Sequence, residues 1–176
     1  MDPGGEPAPA PAPDIDASTA RAIAAGFLNA QVESGNRPEW HGAFVDDLVA
    51  FHDSRGVVQA YEAEVVDGAR EPAGWIMVEA WDVLPPVSAF TTAGPSNFAQ
   101  LSARYRAERG GGTAVDEMVP LWVGPSSAAL DVHEAGGAVI RIAPFPELAN
   151  APYDGEARLA SARDAPGDPE DVGPAS

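Results

Sequence analysis

The sequence predicts an α+β domain: an amphipathic helix packed on a curved antiparallel sheet, with a second helix and further strands. Three observations carry that prediction. One stretch near the N-terminus repeats its apolar residues at helical spacing. Most other apolar residues fall in short runs divided by turn signals, and no helix separates the first four runs. A later stretch opened by Ser96 or Asn97 returns to helical spacing.

The first helix has Asp16 or Ser18 as its cap and Ala20, Ile23, Ala24, Phe27 and Leu28 on one face, and Gly35-Asn36-Arg37-Pro38 stops it. Leu48–His52 is the first strand, and Asp53-Ser-Arg-Gly56 turns the chain. In the second, Val57–Val66, the residues Val57, Tyr61, Ala63 and Val65 face one way and Glu62 and Glu64 the other. The third strand, Gly74–Val78, is apolar on both faces and belongs in the middle of the sheet. Pro85-Pro86 breaks the chain before the fourth, Val87–Thr91. The second helix, Phe98 to Arg109, ends at Gly110-Gly-Gly112. Val119–Gly124, Ala128–Glu134 and Ala138–Ala143 read as three more strands, the last two joined by the Glu134-Ala-Gly-Gly137 turn. No repeat with a period of about 20–50 residues is apparent.

The ends differ from this core. Of 18 prolines, 11 lie in residues 1–13 and 144–176, and the run Pro7–Pro13 alternates proline with alanine. Such ends favour extended or disordered chain. The expected organisation is a Pro/Ala-rich linker over 1–15, one α+β domain over 16–146 and an acidic disordered tail over 147–176. Met1-Asp-Pro-Gly-Gly-Glu has neither the basic nor the apolar region of an export signal. A proline–alanine spacer is nevertheless common after a removed signal or lipid anchor, so the compartment stays open. No run is apolar enough to span a membrane.

Composition excludes much chemistry. The chain of 176 residues carries 27 acidic residues against ten arginines, a net charge of -17, with no cysteine and no lysine. Thiolate nucleophiles, thiolate metal sites, disulfides, Schiff bases and the phosphate-loop lysine are all absent. So negative a surface repels nucleic acid and anionic membranes. His41, His52 and His133 match no metal-ligand spacing, and no cofactor is expected. Gly124-Pro-Ser-Ser lacks the second glycine of a nucleophile elbow. Glu62 and Glu64 share a strand face, the geometry of a hydrolase pair, though in so acidic a chain such pairs also arise as solvated surface. Trp75 and Trp122 lie inside apolar strands and read as core. Trp40 and Trp81 sit at element ends, where an exposed ring would anchor a partner.

One ordered set of motifs resembles a known family. Gln59-Ala-Tyr-Glu-Ala-Glu-Val-Val-Asp-Gly68, Gly74-Trp-Ile-Met-Val-Glu-Ala80 and Leu84-Pro-Pro-Val-Ser-Ala-Phe90 follow an amphipathic helix ending in Phe27-Leu28. This order resembles the pro-domains of streptopain-like cysteine peptidases and the small inhibitor proteins related to them. The resemblance covers residues 18–92; residues 94–143 extend beyond it. It implies a cystatin-like fold and a domain without chemistry of its own that blocks the cleft of a papain-like or streptopain-like peptidase. The partner-binding residues expected on this reading are Trp40, Trp81, Leu84, Pro85, Pro86 and Val87. An alternative is a small-molecule binding module or enzyme, with His52, Glu62 and Glu64 lining a concave sheet face. A purely structural domain is the third.

Overall fold

The computed structural model describes residues 9–124 and 127–143. The expected tail over 147–176 and residues 1–8 of the expected linker lie outside those residues. The fold is α+β, built on one seven-stranded sheet with a helix on each face.

Helix α1 spans Ala17–Glu33 and is capped by Asp16, whose carboxylate accepts the Thr19 N–H at 2.7 Å. It ends where Gly35 takes φ +72°, with the Gly35 N–H donated to Val32 O. A single 3-10 turn, Pro38–Trp40, leads into strand β1, Phe44–His52. Strands β2 (Val58–Val66), β3 (Pro72–Glu79) and β4 (Val87–Thr91) follow as an antiparallel meander. Helix α2, Asn97–Arg109, is capped by Ser96, and β5 (Val115–Gly124), β6 (Ser127–Glu134) and β7 (Val139–Ile142) complete the chain.

The strand order is β4-β3-β2-β1-β5-β6-β7. Residues 94–143 therefore continue the same sheet. Every neighbouring pair is antiparallel except the central one: β1 and β5 run parallel, with His52 beside Leu121. The helical crossover from β4 through α2 makes that possible, since parallel neighbours need such a connection.

Alternation along the strands divides the core in two. Tyr61, Ala63, Val65, Ile76 and Val78 pack under Ala20, Ala24 and Leu28 of α1. On the opposite face Phe51, Ala60, Trp75, Met77, Trp122, Leu130 and Val132 pack under Leu101 and Tyr105 of α2. Strand β3 is buried along most of its length, as its two-sided apolar pattern requires.

The chain joins the fold before residue 16. The Ile15 N–H donates to Ala80 O (2.9 Å), the Tyr61 hydroxyl donates to Ile15 O (2.9 Å), and the Asp82 N–H donates to the Asp14 carboxylate (3.1 Å). Among the described residues no helix is long and apolar enough to cross a membrane.

Candidate functional site

Strand β4 is one edge of the sheet, and the segment that delivers the chain to it projects from the domain. Trp81 starts the segment half-buried against the α1 core, with its indole Nε1 buried and unpaired. The Val83 N–H closes a tight turn onto Trp81 O at 2.8 Å. Leu84 is 91% exposed, the most exposed large apolar side chain described. Its peptide bond to Pro85 is cis. Pro86 returns to the sheet, its carbonyl accepting the Glu79 N–H at 2.8 Å, and Val87 pairs with Val78. The structure thus places Trp81, Leu84, Pro85, Pro86 and Val87 on one continuous segment, with Leu84 and Pro85 outermost.

Trp40 does not belong with them. It is fully buried, its ring lies against Phe27 and Phe90 with centroids 6.4 and 5.8 Å away, and its Nε1 donates to Ala73 O at 2.8 Å. The expectation of an exposed anchor at Trp40 is corrected: the 3-10 turn rotates the ring under α1, where its apolar area and its one donor are both satisfied. Trp75 and Trp122, read as core, are buried.

The alternative constellation also divides. Glu62 and Glu64 face α2 and line a cleft of about 240 Å³ with Asp47, Val49, Phe98 and Arg106. His52 follows Ala50 on the opposite, α1-facing side of the sheet, so the three side chains do not converge. The register shift between Phe51 and His52, where β2 carries the extra residue Gln59, decides this: Glu62 pairs with Val49, and His52 pairs with Val58.

Glu62 itself is 1% exposed and committed. Its carboxylate accepts the Asn97 N–H at 2.9 Å, the Asn97 Nδ2 at 2.6 Å and the Phe98 N–H at 3.0 Å. Burial pushes its pKa above the carboxylate range; the bonds from Phe98 and Asn97 act against that rise, and Glu64 adds to it. Three donors at the first turn of α2 make Glu62 a helix cap supplied from the sheet.

At the other end of α2 lies a cluster that sequence reading missed. Glu134 accepts the Tyr105 hydroxyl at 2.8 Å and binds Arg109 through two bonds of 2.9 Å each. The Arg109 and Tyr105 bonds hold its pKa below the usual range. Its only sequence signal was an acidic residue on the apolar face of β6. Among the described residues no group of three or more His, Asp or Glu is placed to hold a metal ion.

Two shallow grooves flank the helices. One, of about 280 Å³, runs between Leu28–Asn29 of α1 and Phe44–Val45 of β1. The other, of about 230 Å³, runs between Tyr105–Arg106 of α2 and Val115 and Met118 of β5.

The chain matches no protein-family model, no curated protein and no solved structure.

Proposed function

We propose that the chain is a non-catalytic protein-binding domain that acts like a cysteine-peptidase pro-domain or inhibitor, filling a cleft by shape. The observation that carries the reading is the projecting segment from Trp81 to Val87, with Leu84 91% exposed beside the open edge of β4. An exposed apolar tip supported from below is the form of an interface anchor. An edge strand next to it offers main-chain donors and acceptors to an extended partner. The partner class, a papain-like or streptopain-like peptidase, comes from the resemblance over residues 18–92.

The cleft beside α2 supports the small-molecule alternative less well. Its most buried carboxylate is occupied by helix N–H groups, and the only nearby histidine of that scheme lies across the sheet.

The test is residual activity of papain-like and streptopain-like peptidases titrated with the full chain. Stoichiometric inhibition, lost in Leu84→Asp with the fold intact, is the expected result. Equal inhibition by wild type and Leu84→Asp would remove the segment from the interface. No inhibition and no binding across both peptidase classes would overturn the reading.

A further inference from the structure

We infer that the chain is an internal duplication: the helix–meander unit of residues 16–92 occurs a second time over 96–143, and the two copies open as separate cooperative units. The first observation is topological. Each half is a capped helix followed by an antiparallel meander; α1 packs on β1–β4, and α2 packs on β6 and β7 and also reaches over Phe51, Ala60, Trp75 and Met77 of the first half. The halves meet at the one parallel pair, and their helices lie on opposite faces. A two-fold rotation about an axis along the strands between β1 and β5, combined with a shift of one residue, has this effect: it keeps strand direction and turns the faces over, and His52, which lies beside Leu121, then corresponds to Trp122.

The second observation is register. Val45-Asp-Asp-Leu-Val-Ala-Phe-His52 of β1 aligns with Val115-Asp-Glu-Met-Val-Pro-Leu-Trp122 of β5. Four apolar pairs keep their facing. Val45 and Leu48 face α1, while Val115 and Met118 face α2; Val49 and Phe51 turn away from their own helix, as do Val119 and Leu121. Carried through the ladders, Tyr61, Ala63 and Val65 of β2 correspond to Leu130, Val132 and Glu134 of β6. Ile76 and Val78 of β3 correspond likewise to Ile140 and Ile142 of β7. Cross-strand partners share a face, so the agreement in the outer strands follows from that in β1 and β5, where a one-residue slip would invert it.

The third observation is a shared irregularity. Between Val45 and Leu48, β1 carries one residue more than the span of β2 from Ala63 to Val65. Between Val115 and Glu117, β5 carries one residue more than β6 from His133 to Glu134. The bulge falls at Asp46-Asp47 in one copy and at Asp116 in the other, the same place in the alignment. Bulges are retained features of a fold, so a bulge repeated in place argues for common descent of the halves. The two grooves agree: Leu28–Asn29 with Val45, and Tyr105–Arg106 with Val115, line the same position in each copy.

The copies have diverged at their ends. The first adds the 3-10 turn and β4; the second stops at β7 among the described residues. Turns of different length shift the spacing between equivalent strands, which hides the repeat from a fixed-period search.

The experiment is hydrogen exchange of the full chain, followed by mass spectrometry in a denaturant series. Two exchange isotherms are expected, dividing at residues 92–96, with α2 and β5–β7 opening together at lower denaturant. Amides of β5 would then exchange at least tenfold faster than those of β1 at intermediate denaturant. A single isotherm shared by β1 and β5, or a division elsewhere in the sheet, would overturn the inference. A protease site inserted between Gly94 and Pro95 of the full chain gives an independent measurement. After cutting, the two pieces should stay associated, separate in denaturant and regain the original circular dichroism together on dilution. Failure to reassociate would also overturn it.

Discussion

The Glu62 carboxylate, on the second strand, caps a helix 35 residues further along the chain by accepting the Asn97 N–H at 2.9 Å. With the Asn97 side chain and the Phe98 N–H it makes three bonds in one buried place, so the sheet fixes where α2 begins. Removing such an acceptor strands buried donors and loses charge-assisted bonds, each about 1.5–3 kcal/mol. Glu62→Ala is expected to lower stability by about 2–3 kcal/mol in denaturant unfolding. Glu64→Ala, on the same face and only half-buried, is expected to cost much less. Equal effects would show that the cap contributes nothing beyond surface charge.

Glu62 and Glu134 give pH dependence of opposite sign. Glu134 has its folded pKa lowered by Arg109 and then Tyr105, so its contribution is fully present above the ordinary carboxylate pKa of about 4.3 and is lost as pH falls through the folded value. Glu62 has its folded pKa raised, chiefly by burial, so the folded state binds a proton more readily than the unfolded chain. Stability through Glu62 therefore rises as pH falls from neutral and is lost again as pH rises through the raised value. Denaturation midpoints measured against pH should show less acid loss in Glu134→Gln than in wild type. In Glu62→Gln the gain between neutral and mildly acid pH should disappear.

How far the sequence could be read depended on whether the deciding contacts were local. Helical spacing from Ala20 to Leu28, the caps at Asp16 and Ser96 and the turn before β7 are properties of short windows, and each element stands where those windows put it. Sheet order is not such a property. The parallel seam between His52 and Leu121 joins residues far apart in the chain, and no local pattern encodes it. The sites show the same division. Leu84 entered the expected partner surface only through the resemblance over residues 18–92, and no local pattern states its exposure. The facing of His52 relative to Glu62 depended on the extra β2 residue at Gln59, opposite the Phe51–His52 step, which strand alternation alone does not reveal. Trp40 misled for a related reason: its polar neighbours Glu39 and His41 are exposed, while the tight turn directs the ring inward.

Gly74 lies directly against the backbone at the end of β4. Its φ is +119°, its N–H donates to Gly94 O at 2.9 Å, and a Cβ placed on it would collide with the backbone carbonyl of Thr91. Backbone cannot yield as a side chain tip can, and an L-residue is strained at that φ. Gly74→Ala is expected to cost more than about 2 kcal/mol and to push β4 off β3. Amide exchange should rise in Val87–Thr91 before it rises in β1 or β2. An unchanged exchange rate in β4 would show that the strand edge tolerates the added methyl.

Trp40 and Leu84 predict opposite outcomes, and together they separate folding from binding. Trp40 fills the space between Phe27 and Phe90 and satisfies Ala73 O, so Trp40→Ala is expected to cost about 3–5 kcal/mol. Trp40→Phe keeps most of the area but leaves Ala73 O without its donor, and should cost about 1–3 kcal/mol. Leu84→Asp removes an exposed apolar tip and adds a solvated charge, so its melting temperature should stay within a few degrees of wild type. Peptidase inhibition should follow the reverse order: abolished by Leu84→Asp, and retained by Trp40→Phe in proportion to the folded fraction. If Trp40→Phe abolished binding while the protein remained folded, the partner surface would have to include the aromatic cluster beneath α1. The projecting segment from Trp81 to Val87 would then not be sufficient to explain recognition.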